Sequence, residues 1–195
     1  MKAGWVSLFA LLVFLTACAA PVSLPDGEYC EHLHPRLGFC LLAPEEMGVM
    51  EERLDRVTVE TPEETQSFVG QLAVSEGVMQ MAAQSLSGVG LFRVRWDGEE
   101  IDADTAVPIA QLEATHLVAL LQVGFAPSDK LNAALLGGRV SERDDGEGRE
   151  RELVLDDGRS FLRVRHEGSP GPGTAVEITA GLDEQRTRIR LEPLE

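Results

Sequence analysis

Apolar and polar residues alternate with period two in two separate parts of the chain, and this pattern predicts β-strands. The first part covers residues 53–101 and the second covers residues 139–191. In the cleanest strand, Phe92, Val94 and Trp96 share one face. Glycine- and aspartate-rich turn signals separate the strands, so we expect antiparallel hairpins.

Between the two strand regions the apolar period becomes helical. Residues 108–123 predict one helix. A second helix is expected to begin at Pro127-Ser128, with Ser128 as N-cap, and to end at Gly137-Gly138. Antiparallel strands with one polar face need a cover for the other face, and these helices supply it. The predicted fold class is therefore α+β, with a curved antiparallel sheet covered by two helices and an apolar interior between them.

The first 17 residues have the layout of a secretory signal, with Lys2 ahead of an apolar run and small residues before Cys18. The run, residues 5–15, is shorter than the roughly 20 residues of a membrane-spanning helix. Residues 15–18 resemble a bacterial lipoprotein box. That resemblance implies cleavage before Cys18, diacylglycerol on its thiol and acylation of the new amine, and several acyl chains anchor a protein stably. The following Ala19-Ala20, where aspartate would retain the protein, resembles an outer-membrane address.

Composition limits the partners and the chemistry. The formal net charge of −16 argues against a nucleic-acid partner and against docking onto anionic headgroups by charge. No Gly-x-Ser-x-Gly, P-loop or His-Glu-x-x-His motif occurs, so we expect no enzyme, cofactor or metal. Outward arginines, Arg93 and Arg163 among them, are expected to pair with carboxylates across strands. His166, beside Glu167 at a strand end, is expected at the surface.

Cys30 and Cys40 remain once Cys18 is assigned to the lipid. An even pair in an oxidising compartment predicts a disulfide. Zinc bound by both thiolates with His32 and His34 is an alternative, although the spacing matches no common zinc pattern, and unpaired thiols are a third possibility.

Residues 68–74 and 85–98 resemble the LolA/LolB superfamily of bacterial lipoprotein-handling proteins. They resemble more closely an uncharacterised family of bacterial lipoproteins, often encoded in aryl-polyene biosynthesis clusters. The shared features are a strand, a Ser-Pro-Leu-Gly-like turn, here with Leu86 in the place of proline, and an apolar strand ending at Asp-Gly. The resemblance implies a half-open barrel with a helical lid and an acyl-chain cavity over about residues 53–191. LolB inserts lipoproteins with an apolar loop between two early strands. In this chain the connection at residues 75–77 is short and polar, so no exposed apolar loop is expected.

We therefore expect three segments: a signal peptide over residues 1–17, a lipid-anchored tether with the cysteine-containing region over 18–52, and a LolB-like domain over 53–195. The predicted cavity is lined by Phe68, Leu72, Met79, Met81, Phe92, Val94, Trp96, Leu117, Leu120, Leu121, Leu162 and Val164. His116, on the apolar helix, is either a core-edge histidine with a backbone partner or a polar anchor inside the cavity.

The predicted function is that of a non-enzymatic lipoprotein on the periplasmic face of the outer membrane. It binds a lipid or other acyl or polyene amphiphile and assists its transport or placement. The alternative is a lipid-anchored interaction or scaffold subunit of an envelope assembly, with a filled core and an envelope protein as partner.

Overall fold

The computed structural model describes residues 21–25, 29–48, 50–106, 113–144, 146, 148–168, 174–181 and 186–194. The predicted signal peptide and Cys18 lie outside these residues, as do Ile109 and Leu112 of the first predicted helix.

The described chain is mostly β-strand, with two α-helices and a short 3-10 helix at Pro44–Met47. The helices are α1 at Ala114–Phe125 and α2 at Ser128–Ala134. The strands are β1 Cys30–His34, β2 Leu37–Cys40, β3 Met50–Glu60, β4 Thr65–Ser75, β5 Val78–Ser85, β6 Gly90–Trp96, β7 Ile101–Thr105, β8 Leu135–Leu136, β9 Gly138–Asp144, β10 Gly148–Leu155, β11 Ser160–Glu167, β12 Val176–Ala180 and β13 Thr187–Pro193.

Ten strands form one sheet in the order β7-β6-β5-β4-β3-β13-β12-β11-β10-β9. The strand pairs of the described sheets are all antiparallel. The predicted antiparallel sheet with two helices is thus confirmed. Within the described residues the sheet is open rather than a closed barrel, because its edge strands β7 and β9 do not pair with each other.

The two helices differ from prediction at their ends. Helix α1 continues to Phe125, beyond the predicted end at residue 123. Helix α2 has Pro127, not Ser128, at its N-cap position and ends at Ala134. It stops before Gly137 because the chain turns into the two-residue strand β8, which pairs with β2.

Strands β1, β2 and β8 form a small second sheet that the sequence pattern did not predict. Strand β2 shows no alternation because Leu37, Gly38 and Phe39 are all buried. Cys30 and Cys40 face each other across β1 and β2 and form a disulfide in the structure. The buried side chains of this sheet belong to the same hydrophobic core as those of the large sheet and the helices, so residues 29–48 pack onto the main body.

The β9 edge of the large sheet is covered by the side chain of Asn132, from α2. The Val140 N–H donates to Asn132 Oδ1 at 2.7 Å, and Asn132 Nδ2 donates to the Val140 carbonyl at 3.1 Å. The amide therefore takes the place of a further strand at this point. The other edge strand, β7, carries the exposed Asp102 and Asp104.

Candidate functional site: an apolar cavity under helix α1

An apolar cavity of about 100 Å³ lies between α1 and the inner face of the large sheet. Apolar side chains from α1 and from strands β3, β4, β5, β6, β12 and β13 form most of its wall. The lining residues are Asp55, Val57, Val59, Phe68, Gly70, Gln71, Leu72, Met81, Ala82, Phe92, Val94, Thr105, Ala114, Leu117, Leu120, Leu121, Ile178, Ile189 and Leu191.

The residues of this wall follow the periodicity of a helix on α1 and that of β-strands in the sheet. On α1, Ala114, Leu117 and Leu121 are three and four residues apart, so they share one face of the helix. On the strands, alternate residues point inward. Gly70 contributes space, because a Cβ atom there would lie only 2.8 Å from Val57 Cγ2. The cavity thus depends on a missing side chain as well as on the apolar ones.

Most of the predicted lining residues lie on the cavity: Phe68, Leu72, Met81, Phe92, Val94, Leu117, Leu120 and Leu121. The structure places the others, Met79, Trp96, Leu162 and Val164, in the packed core, each at most 2% exposed. These four side chains also point towards the inner face of the sheet. The cavity occupies only part of that inner face, and elsewhere other side chains fill the space.

Buried hydrogen bonds fix α1 to the segment that precedes β3. Gln122 is fully buried, and its Nε2 donates to the Leu42 carbonyl at 2.8 Å while its Oε1 accepts from the Leu42 N–H at 2.8 Å. Trp96 Nε1 donates to the same carbonyl, also at 2.8 Å. Tyr29 packs edge-to-face on Trp96. Helix, sheet and N-terminal segment therefore meet at one backbone unit.

The C-terminal end of α1 lies against a buried arginine of β10. Arg151 Nη1 donates to the Val123 carbonyl at 2.7 Å, and its Nε donates to Glu142 Oε1 at 2.9 Å. A cation at this end suits the helix dipole. Burial lowers the pKa of Arg151, an effect that Glu142 opposes. Burial acts to raise the pKa of Glu142, but the hydrogen bonds and charges of its neighbours, Arg151 foremost, together outweigh it, so the pKa lies below its ordinary value.

A second buried ion pair, Arg53–Asp55, lies on β3. Arg53 Nε and Nη2 donate to the two carboxylate oxygens at 2.6 and 2.7 Å, a bidentate contact. Arg53 Nη2 also donates to the Thr174 carbonyl at 3.2 Å, and the guanidinium lies 5.1 Å from the centre of the Phe125 ring. Asp55, 2% exposed, is in addition part of the cavity wall. The cavity therefore has a carboxylate at one point of an otherwise apolar surface.

His166 is buried, which corrects the expectation that it lies at the surface. It packs edge-to-face on Phe125, and burial, followed by the charges of Arg151, Arg149 and Arg53, lowers its pKa to about 4. The inward phase of β11, shared with Val164, already placed it on the core side. The histidine is therefore neutral at pH 7.

His116 faces β1 rather than the cavity. Its Nδ1 lies 2.8 Å from Glu31 Oε1, and both side chains are partly exposed. It is thus a core-edge histidine, but its partner is a carboxylate rather than the predicted backbone group. The alternative zinc site has no thiolates to offer, since Cys30 and Cys40 are bonded to each other. Across the described ranges no three histidine, cysteine or acidic side chains cluster as metal ligands would.

The outer face of the sheet carries a wider but more polar depression of about 400 Å³, where Gln71, Gln84 and Arg93 are found. Polar and open to solvent, it is a weaker candidate for an apolar ligand. The β5–β6 turn exposes two apolar side chains, Leu86 at 64% and Val89 at 62%. The β4–β5 connection is short as predicted, so the exposed apolar residues lie one hairpin later, where none were expected.

In the part of the chain that the structure describes, no helix is both long enough and apolar enough to cross a membrane. A comparison with curated proteins finds no match. A family model described as "Protein of unknown function (DUF3261)" matches residues 52–194, which run from β3 through β13 and include every residue of the cavity wall. The chain belongs to the DUF3261 family.

Proposed function

We propose that this protein is a lipid-anchored, non-enzymatic outer-membrane lipoprotein that binds the apolar chain of an amphiphile in the cavity under α1. The observation that carries the proposal is the cavity itself, an apolar space that a helix covers on an open antiparallel sheet. The proposed anchor is Cys18 and the proposed setting is the periplasm. The finer assignment of the fold, a half-open barrel of the LolA/LolB kind with α1 as its lid, is part of the same proposal.

The volume decides how such a ligand enters. Ligand pockets commonly measure about 300–1,000 Å³, and a water molecule takes about 30 Å³ of liquid volume. About 100 Å³ therefore accepts a short apolar segment, and a longer chain requires the cavity to widen. Widening is least costly at the N-terminal part of α1, because Ala114 and Leu117 are partly exposed there. The C-terminal part is held by the buried bonds of Gln122 and of the Val123 carbonyl.

Binding of a neutral fluorescent probe, N-phenyl-1-naphthylamine, tests the proposal on the mature chain carrying Cys18→Ala. Leu120 is 5% exposed on the cavity wall, and Leu120→Glu places a carboxylate where it must be desolvated. We expect probe affinity to fall at least about tenfold, a loss of roughly 1.4 kcal/mol. Leu54→Glu is the matched control, because Leu54 is 44% exposed on the outer face of β3.

Thermal melting is measured alongside, since Leu120→Glu also destabilises the fold. Ala114→Phe, at a partly exposed position on the cavity wall, narrows the cavity without burying charge and should weaken probe binding without lowering the melting temperature. A wild-type chain that binds no probe contradicts the proposal, as does equal binding by all variants.

The second candidate is a lipid-anchored interaction subunit, which the exposed Leu86 and Val89 favour. Two hydrogen bonds of Ser85 close their turn, since its N–H donates to the Val89 carbonyl at 2.7 Å and its Oγ accepts from the Val89 N–H at 3.0 Å. Leu86→Ser with Val89→Ser should then abolish the cellular role while probe binding persists. Loss of that role in Leu120→Glu alone favours the ligand-binding function.

A further inference from the structure

The Arg53–Asp55 pair bears on which amphiphile the cavity accepts, an inference that rests on the proposed function. Asp55 is 2% exposed and lines the cavity among mostly apolar neighbours. Of the other polar lining residues, Gln71 is exposed on the outer phase of β4, where it bonds to Glu52, and Thr105 is exposed at the end of β7. Asp55 is therefore the one buried polar side chain of the wall in the described part of the chain.

The carboxylate of Asp55 retains unused hydrogen-bonding capacity. An ionised carboxylate offers about four acceptor positions. The hydrogen bonds that Asp55 receives from described residues are the two from Arg53. As far as the described residues are concerned, two acceptor positions are therefore left for a donor that enters the cavity. The bidentate contact and the Arg53 bond to the Thr174 carbonyl keep the carboxylate from turning away.

The charge balance of the pair limits what that donor can be. Arg53 and Asp55 neutralise each other, so a charged ligand end would add an unpaired charge to a buried site, which is costly. The oxygens of a ligand carboxylate and those of Asp55 are also both hydrogen-bond acceptors, so they could not bond to each other. A neutral ester has no proton to donate. A neutral hydroxyl meets all the conditions, because it donates one hydrogen bond and brings no charge.

We propose that the cavity selects amphiphiles whose buried end carries a neutral hydroxyl group, an alcohol or a phenol, and that Asp55 accepts its hydrogen bond. The ligand is oriented with the hydroxyl at β3 and the apolar chain running towards β6 and the partly exposed start of α1. Free fatty acids, fatty amines and simple esters of the same chain length are discriminated against.

Competition against N-phenyl-1-naphthylamine on the mature Cys18→Ala chain at pH 7.5 tests this. The competitors are decan-1-ol, methyl decanoate, decanoate and decylamine, which share one chain and differ at the end. We expect decan-1-ol to bind about tenfold or more tightly than each of the others, because a hydrogen bond to a charged acceptor is stronger than one between neutral groups. Equal affinities, or decanoate or decylamine binding best, overturn the inference and leave the proposed function standing. A chain that binds neither the probe nor any competitor removes both.

The double variant Arg53→Met with Asp55→Leu tests the residue assignment. Replacing both partners of a buried ion pair by apolar residues of similar volume is often neutral for stability, whereas removing one partner leaves a buried charge. The variant should keep its affinity for the probe and lose the preference for decan-1-ol. Should it fail to fold, the ranking of the four competitors on the wild-type chain still decides. A preference that survives in the folded double variant rules out Asp55 as the acceptor.

Discussion

The contact between Gln122 and Leu42 gives a prediction whose size follows from the structure. Gln122→Met keeps a similar side-chain volume and removes both amide hydrogen bonds. Leu42 is 4% exposed, so its N–H is left buried without a partner, while its carbonyl keeps the Trp96 indole. An unsatisfied buried donor costs about 1–3 kcal/mol. We expect the free energy of unfolding to fall by about 2–3 kcal/mol.

The second hydrogen bond to the same carbonyl allows a stricter test. Trp96→Phe removes the indole donor but leaves the Gln122 amide in place. In the double variant the Leu42 carbonyl loses both donors, so the loss should exceed the sum of the single losses by about 1 kcal/mol.

Urea unfolding followed by far-UV circular dichroism measures these changes on the oxidised Cys18→Ala chain. Gln80→Met is the matched control, because Gln80 is exposed on β5, and it should change stability by less than about 0.5 kcal/mol. If Gln122→Met is as stable as Gln80→Met, or if the Gln122 and Trp96 effects simply add, the bond network does not hold α1 as we argue.

Three further predictions concern the anchor, the disulfide and the buried histidine. Cys18→Ala should abolish incorporation of radiolabelled palmitate, and undiminished labelling would refute the lipid assignment. Alkylation without reductant should modify neither Cys30 nor Cys40, because the two sulfurs are bonded; two alkylated thiols in mass spectrometry would contradict this. The pKa of His166 is lowered to about 4, so as the pH falls the unfolded chain takes up a proton on this histidine before the folded chain does. The free energy of unfolding should therefore be highest above about pH 6.5 and should fall towards pH 4 by up to about 3 kcal/mol more than in His166→Gln. Urea titrations at several pH values measure this difference.

Strand alternation was sufficient to predict most strands of the large sheet, because one face of these strands is buried and the other is solvated. It could not predict β2, since Leu37, Gly38 and Phe39 are buried on both sides and show no alternation. The end of α2 also escaped prediction, because pairing of β8 with β2 is a long-range contact that outweighs the local glycine signal.

The cavity was predictable in part for the same reason. Inward phase identifies candidates for its wall, but it does not tell which of them line a space and which fill one, as Leu72 and Met79 show. The strand alternation also extends to the buried ion pair on β3, although the charged residue types alone favour an exposed position. Arg53 and Asp55 continue the inward phase of Val57, but charged residues are so often solvated that this phase alone does not predict their burial.

The Asn132 amide on β9 has a consequence for the molecule at high concentration. A lipid anchor would confine many copies to one plane, where exposed sheet edges invite strand addition and fibre growth. Continuous growth needs two accepting edges. Asn132 already occupies one of these edges at Val140. At the other edge, the carboxylates of Asp102 and Asp104 would lie beside the same carboxylates of a second molecule, and like charges repel. Molecules at high concentration can therefore remain separate from one another, each with its cavity intact.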